Sequence, residues 1–144
     1  MTDSPLRLPA EWEPQSGVML TWPHAGSDWA DRLDVVHPVF ARIGSAVAEH
    51  EFLLSVCQSL QHAALIERLL CEHGTHTDQL LFAIADSNDT WARDHGPLTP
   101  LTGTGAELND FRFNGWGGKF ESALDDAIPA RLHQIGRASC RERV

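Results

Sequence analysis

Short apolar runs alternating with segments of helical period constrain this chain more than any other feature. Residues 18–22 (VMLTW), 52–56 (FLLSV) and 80–85 (LLFAIA) are too short for helices and apolar almost throughout. Runs of this kind suit strands buried on both faces. Between the first two, Val36, Val39, Phe40, Ile43 and Val47 recur at helical spacing and form one face. Pro38 lies inside this span and is tolerated only near a first turn, so the main helix is predicted to begin around His37. A second helix is predicted over 61–72, with Leu65, Ile66, Leu69 and Leu70 on one side and Gly74 placed to end it. Strand–helix–strand therefore occurs twice, which defines the class as α/β.

Beyond residue 85 the pattern breaks. Residues 86–89 form a polar turn, 97–101 and 107–113 are predicted strands, and 102–105 suit a hairpin turn. In the second strand Phe111 and Phe113 would share one face. Residues 114–120 (NGWGGKF) are a glycine-rich loop.

Two clusters could carry chemistry. The first holds Asp86, Asp89, Arg93 and Asp94 around Trp91. In a buried turn such charges need partners. Asp and Arg could satisfy each other. A tryptophan near a carboxylate also suits a planar cation, because the indole face attracts guanidinium and the carboxylate binds its N–H groups in pairs. The second cluster is the glycine-rich loop with Trp116 and Lys119, the only lysine of the chain. Its glycines permit close approach to a ligand, and equally a turn packed on the core. A phosphate loop is excluded, since Phe113 and Phe120 stand where that motif needs Gly and Ser or Thr.

Spacing argues against metal sites. Cys71, His73 and His76 lack a fourth ligand. A calcium loop from Asp86 would need Gly where Trp91 stands and Glu where Pro97 stands. The formal net charge of −9 argues against nucleic acid or an anionic membrane as partner. No run is long enough to span a bilayer, and the first fourteen residues lack the apolar core of a signal peptide. Three scattered cysteines fit reduced thiols and a cytoplasmic location.

The segment Asn88-Asp89-Thr90-Trp91-Ala92-Arg93-Asp94-His95-Gly96-Pro97 resembles the motif of agmatine deiminases and bacterial-type peptidyl-arginine deiminases. So does Asp110-Phe111-Arg112-Phe113-Asn114-Gly115-Trp116-Gly117-Gly118-Lys119-Phe120 downstream, and the opening from Pro9 to Pro23 is similar to the family's start. The resemblance implies a partial pentein propeller, about the first two of five ββαβ-type units. It implies hydrolysis of agmatine to N-carbamoylputrescine and ammonia, a step of putrescine formation, through a cysteine thiolate, a proton-moving histidine and guanidinium-binding acids, without a cofactor or metal. Peptidyl-arginine deimination, or a non-catalytic guanidinium- or polyamine-binding module, is the alternative. By the same resemblance Asp94 is the catalytic, guanidinium-binding aspartate and Trp91 lines the cavity. Arg93 and Asp89 would brace this segment through ion pairing, while Trp116 and Lys119 would shape the site. A homo-oligomer is carried as an expectation for the full-length protein.

The family's later glutamate, its His-Asp segment and its nucleophilic cysteine have no counterpart here, and Cys57 and Cys71 lack the matching context. Residues 1–134 are therefore expected to be the N-terminal part of the catalytic domain, inactive alone, with exposed strand edges and poor solubility. Residues 135–144 (IGRASCRERV) carry three arginines and Cys140, show no helix or strand period, and resemble a sequencing adapter read in frame. They are expected to be foreign to the protein.

Overall fold

The computed structural model describes residues 6–141, with side chains as far as Gln134. Its centre is a three-stranded parallel sheet: β1 (Gly17–Thr21), β2 (Phe52–Cys57) and β3 (Leu80–Ile84), in that spatial order. The register sets Met19 beside Leu54 and Leu54 beside Leu81. Helix α1 (Leu33–Ala48) joins β1 to β2, and α2 (Leu60–Glu72) joins β2 to β3. Both helices cover one face of the sheet. Leu53 and Cys57 of that face pack with Ala41, Ala48, Ile66, Leu70 and Trp22. The Trp22 indole donates to the Ser55 hydroxyl at 3.0 Å, so the one polar edge of a fully buried ring is satisfied.

The helix ends follow from local chemistry. Ser59 caps α2 by accepting from the His62 N–H at 3.1 Å. Gly74, at φ 83°, ends it: the Thr75 N–H reaches the Leu70 carbonyl and the Gly74 N–H reaches that of Cys71. Helix α1 begins at Leu33, four residues before the predicted start, after a 3-10 turn over Ala30–Arg32. Pro38 therefore lies inside it and leaves the Asp34 carbonyl without its helical N–H. Asp34 and Pro38 are both exposed, so water can take that bond.

The buried face of α1 also differs from the one predicted. Val36, Ala41, Gly44 and Ala48 are buried, whereas Val39 and Ile43 point outward. Small residues let the helix approach the sheet closely. A Cβ on Gly44 would stand 2.8 Å from Leu53 Cδ2 and 2.9 Å from Leu70 Cδ2.

On the opposite face, Val56 and Met19 meet Ala85, Ile128 and Leu132, the last two from α6 (Ile128–Arg141). Short α5 (Ala123–Asp126) leads into α6. The helical backbone of α6 continues to Arg141, through a stretch in which the composition gave no helix period. The second part of the chain is less regular than predicted. The pair β4 (Leu101–Thr102) and β5 (Gly105–Ala106) makes a two-residue hairpin. Pro97 and Pro100 lack the N–H groups that a longer strand there would need. The strand predicted over 107–113 reduces to a single bridge between Leu98 and Asn109. The Phe113 N–H goes instead to the Asp126 carboxylate at 2.6 Å. No helix among the described residues is long and apolar enough to cross a membrane.

The two faces of the helical layer should respond differently to truncation. Leu70→Ala is expected to cost about 2–5 kcal/mol, and Ile43→Ser to stay within about 0.5 kcal/mol of the parent. Urea unfolding followed by circular dichroism measures both; equal losses would overturn the assignment of faces.

Candidate functional site

The loops that leave the carboxyl ends of β1 and β3 open onto one cleft, the usual place for a site on a parallel sheet. The cleft has a volume of about 660 Å³. Gly26 and Asp28 line it from the loop after β1. Asn88, Asp89, Trp91 and Asp94 come from the segment after β3. Trp116, Lys119, Phe120, Glu121 and Asp125 close it from the far side. Five carboxylates and three aromatic rings thus face a single lysine among the described residues. Such a wall attracts a cation and offers ring faces to its flat or apolar parts.

One indole–carboxylate bond joins the two motifs, and a second lies within the first motif. The Trp91 indole N–H donates to Asp89 Oδ2 at 2.8 Å. The Trp116 indole N–H donates to Asp94 Oδ1 at 3.2 Å, twenty-two residues away. The two indoles meet edge to face, centroids 6.1 Å apart. Phe113 and Phe120 add edge-to-face contacts to Trp116 at 5.1 and 5.7 Å. Trp116 sits at φ 56°, in the left-handed region that a bulky residue rarely adopts. It belongs to α4 (Gly115–Gly118), whose φ angles are all positive, so this is a left-handed turn and not an α-helix. Asn114 caps the turn by accepting from the Gly117 N–H at 2.9 Å. Gly115 is required on two counts: its φ is 60°, and a Cβ would collide with the Phe120 carbonyl.

Beneath the cleft the β3 loop is tied to α5 by a reciprocal exchange. Asp125 Oδ1 accepts from the N–H groups of Asn88 and Asp89, at 2.7 and 3.3 Å. Asn88 Oδ1 accepts from those of Leu124 and Asp125, at 2.9 and 3.3 Å. Asp125 is only 2% exposed. Burial pushes its carboxyl pKa up, while the two N–H donors pull the other way. His95 ends α3 (Ala92–His95) and pins it to the sheet, with Nε2 3.2 Å from the Thr21 hydroxyl. Burial lowers its pKa.

Beside the cleft, His24 Nε2 and the Gln58 amide both reach the Ser87 hydroxyl, at 3.1 and 2.9 Å. His62 packs near His24 and His37, with ring centroids 6.5 and 6.4 Å away. Burial, and then the neighbouring imidazoles, push the His62 pKa down to about 4.

Asp94, Trp91, Asp89, Trp116 and Lys119 therefore meet in one cleft, as two separate motifs gave reason to expect. Arg93 does not. Its guanidinium binds Glu11 of the N-terminal segment at 2.6 Å, on the surface, and Asp89 pairs with the Trp91 indole instead of an arginine. The turn is not a buried one either, because Asp86, Arg93 and Asp94 are exposed. Sequence reading missed Asp28, Asn88, Glu121 and Asp125. Asn88 lay within a quoted motif, but its partner Asp125 is thirty-seven positions on and carries no local signal.

Cys57 lies under the helical layer, with its thiol toward the Ala83 carbonyl and its pKa pushed up to about 11 by burial. Cys71 is exposed on α2, and neither cysteine lines the cleft.

Comparison with known proteins agrees with this geometry. Residues 7–143 match the family model of the Porphyromonas-type peptidyl-arginine deiminases. An agmatine deiminase of Stutzerimonas stutzeri is 32% identical over 135 residues, which are 89% of this chain and 35% of that one. An agmatine deiminase of Pseudomonas aeruginosa is 29% identical over 138 residues, covering 91% of this chain and 36% of the relative. The solved structure of a C. jejuni agmatine deiminase with substrate bound superposes with a TM-score of 0.80 at 28% identity, over 90% of this chain and 36% of that one. The chain belongs to the Porphyromonas-type peptidyl-arginine deiminase family and carries part of the α/β pentein fold of the agmatine deiminases. It spans about a third of the length of these relatives.

Two outcomes test the site's construction. Asp125→Ala leaves two backbone N–H groups without an acceptor and is expected to cost about 1–3 kcal/mol in urea unfolding; a neutral result would remove Asp125 from the framework. The pKa of His62 is lower in the folded chain than in the unfolded one, so between pH 6.5 and about 4 the unfolded chain takes the proton first. Stability contributed by His62 is present above that window and lost as pH falls through it. His62→Gln should flatten the slope of stability against pH there by about one proton; an unchanged slope would assign the acid loss elsewhere.

Proposed function

We propose that this chain forms one wall of a guanidinium site, and that in the full-length protein this site hydrolyses agmatine. The observation that carries the reading is the placement of Asp94 beside Trp91 in a cleft rich in carboxylates and ring faces. A carboxylate binds two guanidinium N–H groups in its own plane, and an indole covers the face of the cation. Asp94 then orients the guanidinium carbon for attack. A cysteine thiolate adds to that carbon and ammonia leaves. Water then releases the thiol, so the net change is guanidinium plus water to a urea group plus ammonium. From agmatine the product is N-carbamoylputrescine.

Neither cysteine described is placed for this step. Cys57 is sealed and stays protonated at neutral pH, and Cys71 is exposed on α2 and does not line the cleft. We therefore read the 144-residue chain as competent to bind and not to turn over. The free cysteines fit a cytoplasmic setting. Residues 135–144 are read as foreign from their composition and their likeness to an adapter read in frame, although the helix continues to Arg141 and the family match to residue 143; the sequence of the intact locus decides their origin.

Asp28 and Glu121 on the same cleft suit the second, ammonium end of agmatine, which favours it over an arginine within a peptide. Lys119 would suit a peptide carbonyl and supports the second reading. Calorimetry with agmatine and with Nα-acetylarginine methylamide separates the two. Agmatine is expected to bind more tightly, and Asp94→Ala to weaken it at least about tenfold, the worth of a charge-assisted pair. Steady ammonia release from the purified chain would refute the division between binding and turnover.

A further inference from the structure

We propose that Trp116 is a positioning residue that acts through Asp94: its indole N–H holds the carboxylate in the plane in which a guanidinium can bind. The inference rests on the guanidinium reading of the cleft and adds to it a residue outside the Asp94 segment. Asp94 is exposed, and a free aspartate on a cleft rim turns about its own side-chain bonds. Here one oxygen, Oδ1, accepts from Trp116 at 3.2 Å, which leaves Oδ2 and the remaining lone pair of Oδ1 for a ligand.

The backbone of Trp116 is what makes this bond possible. At φ 56° a tryptophan is strained, and such conformations persist only where the surroundings over-determine them. They do so here. Gly115 and Gly117 on either side are also left-handed, and Asn114 caps the turn. Phe113 and Phe120 grip the ring from two sides, both edge to face. A glycine would fit this turn without strain, so the ring and its N–H are the only gain from tryptophan at this position. The ring stacks could be supplied by phenylalanine. The N–H could not, and the only hydrogen bond the indole makes goes to Asp94.

The test uses the full chain and two variants, each checked for folding by circular dichroism. Trp116→Phe keeps a ring in the left-handed turn and removes the N–H. Trp116→Gly removes both and relieves the strain, so it can fold even if the first variant cannot. Affinities are measured by calorimetry for agmatine and for (4-aminobutyl)trimethylammonium, which has the same amine and spacer but a cationic head with no N–H groups to pair with Asp94. Trp116→Phe is expected to weaken agmatine about tenfold and the quaternary ligand less than twofold. Trp116→Gly should weaken both, agmatine more. Equal losses for the two ligands in Trp116→Phe, or no loss for agmatine in either variant, would overturn the positioning role while leaving the guanidinium reading intact. If the parent chain binds neither ligand, the reading of the cleft falls and this proposal with it.

Discussion

The exchange between Asn88 and Asp125 is the interaction on which the site depends. A carboxylate almost wholly withdrawn from water is costly unless its oxygens are engaged, and here one oxygen takes two backbone N–H groups of the β3 loop. The loop in turn supplies the amide oxygen that caps the N–H groups of α5. Each side satisfies donors that the other leaves open. The loop after β3 would otherwise be a mobile polar segment between an open sheet edge and solvent. With the exchange in place, Asp89 is fixed, Asp89 holds the Trp91 indole, and the ring of Trp91 is set at the cleft.

The sheet supplies the other fixed point. Three parallel strands end together, so the loops after β1 and β3 emerge on one side. Close helix packing through Ala41 and Gly44 holds the strands in register, and Ile128 closes the second face. His95 then bridges α3 to the end of β1. Asp94, its neighbour in sequence, is thereby tied to the rigid part of the fold although its own side chain lies in solvent.

The three strands of the parallel sheet, helices α1 and α2 and the end of α2 were legible in the sequence because each follows from local patterning: apolar runs, a helical period, a glycine at the left-handed stop; α6 was not. The face of α1 was not legible, since Val39 and Ile43 are as apolar as the residues that pack, and small Ala41 and Gly44 score poorly as core. The predicted strand over 107–113 failed for a related reason. Alternating phenylalanines mark a buried side, but Phe113 is claimed by Trp116 and His95 and its N–H by Asp126. At the site, the two motif segments identified Asp94, Trp91, Trp116 and Lys119. Nothing local identified Asp125, whose role exists only once residues far apart in sequence are brought together. Arg93 does form an ion pair, but its partner was not legible, because Glu11 lies eighty-two positions away.

The two indoles that cross at the cleft have a further consequence. Trp91 and Trp116 stand 6.1 Å apart with their planes at 83°. Aromatic transition dipoles that close, in a fixed chiral arrangement, couple and rotate polarised light as a pair. The cleft therefore contains its own chromophore, one whose near-ultraviolet signal depends on the relative orientation of two side chains from different motifs. Any event that parts the motifs, whether heat, acid or a ligand entering between them, changes the part of the near-ultraviolet signal that this pair contributes.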